Sequence, residues 1–309
     1  MISAWASSVH LFAIFVITAY ICRSALLPFI TDIYGDNYPP DRRAAFFSKS
    51  LLLSVGVAAL SGFIGSSILE KDIEYYPLIF TFLGFCAFSK AAAIYCMPSK
   101  QVDKSPHENP FGNMKYAWQD RSFGYVLLTW FIMGFANLWT LPLRVDYVTS
   151  SQWGIEGSAI FVAMIITVIP EIMRMLLIPF WARLFDKMNF VILRMILNLS
   201  FAAGVLLFFI SSNPWIIGAG SALIGVAFAG GSIAWNLWVT KYAPPGKTGA
   251  YMSVHVSLTG IRGTLGPMIG YWAVGLIGAQ NIGILSCAMM LLATLMLIPE
   301  IKHGRWKTA

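Results

Sequence analysis

Nine apolar runs, each about as long as a bilayer is thick, leave this 309-residue chain few ways to fold. They cover roughly 7–30, 46–69, 75–97, 124–146, 157–182, 190–211, 214–240, 249–275 and 279–299. A spanning helix needs about 20 mostly apolar residues. Hydrocarbon offers the backbone no hydrogen-bond partner, so segments like these must satisfy their own amides as helices. The composition agrees: 58% hydrophobic and 11% charged residues, with a mean hydropathy of +0.70. A soluble domain carries about 25% charged residues. The expected fold is an all-α integral membrane protein with nine transmembrane helices.

The +7 net charge does not point to nucleic acid, because the basic residues sit in short loops between the runs. Those loops alternate. One set holds Arg42 and Arg43; Lys100, Lys104, Lys115 and Arg121; Arg183 and Lys187; Lys241 and Lys247; and Lys302, Arg305 and Lys307. The other set holds Lys71 alone beside Glu70, Asp72 and Glu74, and the loops 149–156, 212–213 and 276–278 have no Lys or Arg. The positive-inside rule places the first set in the cytoplasm, the N-terminus outside and the C-terminus inside. No Lys or Arg precedes Arg23, so a secretory signal is not expected.

The stretch 98–121, with Pro98, Pro106, Pro110 and Gly112, reads as a cytoplasmic linker. It divides the chain into a three-span unit at 1–97 and a six-span unit at 122–309. One element recurs across the linker. Pro39-Pro40 returns as Pro244-Pro245, 205 residues later, and the same offset puts Arg42 on Lys247, Ala45 on Ala250, Ser48 on Ser253 and Gly65 on Gly270. Six spans separate the copies, so both run the same way through the membrane. That is a parallel repeat about an axis along the membrane normal. If the units are duplicates, the first lacks three spans.

These features resemble the major facilitator superfamily, helices four to twelve of its twelve. GTLGPMIG at 263–270 is similar to its glycine-proline motif, and ALSGFIG at 59–65 is a weaker copy without the proline. ARLFDKMNFVILR at 182–194 resembles its cytoplasmic loop motif G-x-L-x-D-R-x-G-R, with Ala182 for the first glycine, Leu184 and Asp186 matching, Lys187 for the arginine and Asn189 for the later glycine. The resemblance implies a secondary active transporter moving a small solute by alternating access, in a multi-pass setting such as a bacterial inner membrane. It also implies a conformational latch at Arg183, Asp186, Lys187 and Arg194, in which the aspartate caps a neighbouring helix. Arg23 falls where the family often places an intramembrane arginine. The alternative is a truncated relative that serves as a membrane scaffold or is a partial gene product.

Polar residues inside the spans are the candidates for chemistry, since a charge at the bilayer centre costs at least ~2.5 kcal/mol unless it lines a cavity or is paired. His255, Thr259, Arg262 and Gly266 share one helical face. Arg262 lies roughly 20 Å along its helix from Gly249, deep in the bilayer. It reads as an anion site or a counter-charge. Glu171 has two readings: it carries a proton, or it pairs with Arg174 or Arg262. Pro170 beside it predicts a kink. Asn137 and Arg144 share a face. Lys90 is alone in its helix and either snorkels, pairs or acts. Gly263, Gly266, Pro267 and Gly270 form a close-packing stripe.

Enzyme motifs are missing from the sequence. His10, His107, His255 and His303 form no HExxH, and there is neither a Gly-x-Ser-x-Gly elbow nor a phosphate-binding P-loop. Cys22, Cys86, Cys96 and Cys287 lie in apolar runs without metal-ligand spacing, so no cofactor or metal is expected.

Overall fold

In the computed structural model, residues 8–98, 110–153 and 155–302 are described. Much of the expected linker (99–109, with Lys100, Lys104 and His107), together with His303, Arg305 and Lys307, lies outside them. So do the side chains of Ala59 and Phe63 in ALSGFIG. The helices are α1 (Val9–Asn37), α2 (Arg43–Lys71), α3 (Tyr76–Tyr95), the single turn α4 (Tyr116–Gln119), α5 (Arg121–Thr140), α6 (Leu143–Thr149), α7 (Ala159–Ala163), α8 (Ile169–Lys187), α9 (Phe190–Ile210), α10 (Pro214–Leu237) and α11 (Thr248–Met296).

Among the described residues, seven helical stretches are long and apolar enough to cross a membrane. The last, Thr248–Lys302, is too long for one crossing. Gly278 breaks it with φ 78° and ψ 160°, a backbone that glycine adopts without strain. Two crossings result. With the 29 residues of α2, the arrangement is consistent with nine spans. Short polar side chains start several helices by accepting a first-turn amide: Asp120 from Phe123, Asn189 from Val191 and Asn213 from Trp215.

The predicted kink at Pro170 has a specific form. Met164–Val168 winds as a π-helix, joining α7 to α8. The amide of Ile169 bonds the carbonyl of Met164, five residues back. In that register the carbonyl of Ile165 would take the amide of residue 170, and proline has none. Ser221 of α10 donates its hydroxyl to Ile165 instead. The bulge is thus satisfied from a neighbouring helix.

Two buried cores lie at opposite ends of the bundle. One gathers Phe123, Trp130, Trp181, Phe190, Trp238 and Tyr251, and includes Ala44 and Phe47 of α2. The other, around Trp139, Tyr147, Phe201, Phe208, Phe209 and Ile282, contains no buried residue of α1–α3 among those described. Between the two groups, α1 packs along α11 and α2 along α8. Among the described side chains, the buried residues of α1 and α2 (Thr31, Arg43, Ala44, Phe47 and Ser48) lie near the end that the loop charges assign to the cytoplasm. Among the described residues, the buried contact between the groups is therefore at one end. Elsewhere α1 and α3 present apolar side chains outward, as lipid-facing helices do.

The described end of the linker is docked. Tyr116 is buried and stacks on Tyr251 at 5.0 Å, and Asn113 donates to Ser253 at 3.3 Å. Exposed Trp118 and Gln152 flank the α5 span on opposite sides. In a background without native cysteines, Trp118→Cys should react with an impermeant maleimide from the cytoplasm only, and Gln152→Cys from outside only. Labelling of both from one side would reject this topology.

Candidate central binding site and latch

A cavity of about 880 Å³ lies between α1–α3 and the helices α5, α8, α9, α10 and α11. Five cationic side chains line it: Arg23 on α1, Lys90 on α3, Arg174 on α8, Arg194 on α9 and Arg262 on α11. No Asp or Glu is among the described lining residues. The wall also carries Tyr34, Phe47, Trp130, Phe201, Phe228 and Trp235.

Arg262 is 5% exposed. Its guanidinium lies against Gly134, where any Cβ would collide with it, so the missing side chain makes its berth. One Nη donates to the Trp130 carbonyl and the other to Thr259 Oγ1 at 3.0 Å. Thr259 in turn donates to the carbonyl of His255 at 2.9 Å. The buried Nε of Arg262 has no acceptor. Arg194, also buried, stacks on Trp130 with its guanidinium carbon 3.5 Å from the ring centroid, and donates to the Met133 sulfur at 3.0 Å. Trp130 thus carries one arginine on its ring and another on its carbonyl.

His255 is buried behind this pair. It meets Trp130 edge-on at 5.1 Å and Trp238 at 5.4 Å, and it is not among the cavity-lining residues. Glu171 pairs with Arg174 at 3.1 Å, one turn beyond the π-helical segment. Asn137 lines the cavity and accepts from Arg144 at 2.8 Å.

Where the halves join, Asp186 at the end of α8 accepts the Ala44 amide at 2.9 Å on one oxygen and the Ala45 amide at 3.0 Å on the other. These are first-turn amides of α2, whose own N-cap residue, Arg42, gives no side-chain cap. The carboxylate also meets the positive end of the α2 dipole. Beside it, Lys241 donates to the Phe185 carbonyl, and Arg43 donates to the Gly35 carbonyl at 2.8 Å. Arg183 and Lys187 are exposed.

The sequence matches a family model, the Major Facilitator Superfamily, in two overlapping stretches, residues 1–254 and 157–309. The chain belongs to the Major Facilitator Superfamily. Its class is transport across membranes, not enzymatic catalysis, and it is a multi-pass integral membrane protein. No match was found among curated proteins. Two solved structures share the fold. The human organic anion transporter MFSD10 (TETRAN) is 18% identical, with a TM-score of 0.71 over 88% of this chain and 67% of that one. A variant of the E. coli fucose:proton symporter FucP is 17% identical, with a TM-score of 0.65 over 96% and 78%.

Within this superfamily transporter, the residues singled out by sequence fall into three places. Arg262, Thr259, Asn137, Arg174 and Arg23 border the cavity, while Asp186 bridges to α2. Arg194 stands apart from its expected group: eight residues beyond Asp186 along the chain, it faces the cavity and not the latch. Its place inside the 190–211 run was the available signal. The glycine stripe divides as well. Gly266 and Gly270 lie against Leu138 and Trp139 of α5, and a Cβ at Gly263 would meet nothing within 4 Å. Trp130 and Gly134 carried no signal of their own, because their role depends on which arginines reach them. Among the described residues no cluster of His, Cys, Asp or Glu is placed to hold a metal.

Proposed function

We propose that this transporter moves a small solute by alternating access, with residues 1–97 and 122–309 as the two moving bodies and 98–121 as the link between them. The observation that carries the reading is a central cavity walled by both bodies, which among the described residues share a buried core at one end, the end that the loop charges assign to the cytoplasm. That supports an outward-facing state held by Asp186 on α2. Closing the opposite end while releasing Asp186 would present the cavity to the cytoplasm. Any proton step we assign to Glu171: protonation would cancel its attraction for Arg174 and free that cation toward the cavity it lines. The membrane in question is proposed to be a bacterial inner membrane.

The test needs no solute. Ser232 lines the cavity, and Gly35 lies beside Thr248 across the cytoplasmic seal. In a cysteine-free background, Ser232→Cys should react with an impermeant maleimide from either side. A Gly35→Cys/Thr248→Cys disulfide should abolish reaction from the cytoplasmic side only, and reduction should restore it. Access from one side alone, with or without the disulfide, would favour a non-transporting scaffold.

A further inference from the structure

Resting on that reading, we infer that the transported solute is an anion: an apolar body bearing an oxyanion such as a carboxylate or phosphate, seated between Arg194 and Arg262. Four of the five cavity cations, Arg23, Lys90, Arg194 and Arg262, have no ion pair among the described residues, and only Arg174 has a carboxylate partner. Arg194 and Arg262 are 2% and 5% exposed, so solvent does not offset their charge. A buried cation without a counter-ion is strongly unfavourable, and it persists where a ligand supplies the missing charge.

A structural role does not account for the pair. The bonds of Arg262 go to a carbonyl inside a helix and to a threonine hydroxyl, and neither requires a full charge. Its buried Nε has no acceptor among the described residues. Arg194 contributes a planar donor fork held flat on Trp130, a geometry suited to an oxyanion. At about 880 Å³ the cavity is far larger than an inorganic ion needs and matches the usual range for organic ligands. Its aromatic wall suits an apolar body. Both a soluble organic acid and an anionic lipid headgroup present this chemistry.

The test uses purified protein in phosphatidylcholine nanodiscs. Phenyl phosphate should raise the thermal midpoint with dose, whereas benzylamine and benzyl alcohol, of similar shape, should not. Arg194→Gln and Arg262→Gln should each weaken that response tenfold or more. Without ligand, both should melt at or above the parent, because an unpaired buried charge has gone. Gly134→Ala, which displaces the Arg262 guanidinium without removing it, should also weaken the response and covers the case of a glutamine variant that does not fold. Nanodiscs containing phosphatidic acid distinguish the source: a rise there without one from phenyl phosphate identifies a lipid headgroup. Equal stabilisation by benzylamine, a parental response in both arginine variants, or no response to either anion overturns the inference. The labelling of Ser232→Cys is independent of any ligand. Two-sided access with no anion response would reject the solute class and leave alternating access standing. An anion response with one-sided access would do the reverse.

Discussion

Asp186→Ala should shift the resting protein toward its cytoplasm-facing state, raising the rate at which Ser232→Cys is labelled from that side roughly tenfold or more. The carboxylate holds two first-turn amides of α2 across the join, and α2 has no other side-chain cap. Losing an N-cap costs about 0.5–2 kcal/mol. Hydrogen bonds to a charged acceptor contribute about 1.5–3 kcal/mol. A loss near 2 kcal/mol in a bond made in one state only changes the ratio of states about thirtyfold. The body of each half is untouched, so membrane abundance should stay close to parental. Asp186→Asn keeps one acceptor but loses the charge, and should fall between the two. An Asp186→Ala protein labelled at the parental rate would remove the latch.

Gly270→Ala should lower abundance and thermal midpoint more than any other single methyl addition along α11. A Cβ there would run into the carbonyl of Trp139, with its carbonyl carbon at 3.0 Å and Cα at 3.2 Å. These are backbone atoms of α5, so relief requires moving a whole helix. Overpacking of this kind costs about 1–3 kcal/mol. Gly263→Ala is the matched control. It sits seven residues earlier in the same motif, and its Cβ would meet nothing within 4 Å. There the better helix propensity of alanine, up to ~1 kcal/mol, should leave the protein as stable or slightly more stable. Equal losses at both positions, measured by fluorescence-detected melting in detergent, would refute the assigned α5–α11 crossing.

That pair also illustrates what the sequence makes legible. The spans could be read because hydrocarbon imposes a length and a polarity on every crossing, and those are properties of contiguous residues. The glycine stripe could be read as a motif, but which glycine meets a neighbour depends on the rotation of α11 against α5. Asp186 stood out through its neighbours in the loop motif. Its partners, the amides of Ala44 and Ala45, could not, because a main-chain donor has no sequence signature. Arg194 was drawn to the latch by closeness along the chain, although a helix start at Asn189 turns it to the cavity. Glu171 was left between two arginines by sequence, and spacing along α8 favours Arg174, one turn away. The concentration of positive charge is likewise a tertiary fact: its five members come from five helices, and each helix contributes one cation to the cavity.

The π-helical joint ahead of α8 has a mechanical consequence. A bend in a membrane helix ordinarily strands a carbonyl in hydrocarbon, and that cost keeps such helices stiff. Here the carbonyl that a bend would strand, on Ile165, already takes its hydrogen from Ser221 of α10. Flexing at 164–170 therefore does not leave that carbonyl without a donor. The outer arm of this span is tied to α10 through a hydroxyl, while its inner arm, packed on α10 and α2, carries Arg174 near the bend and Asp186 at its far end, so a change of bend there would be felt at both.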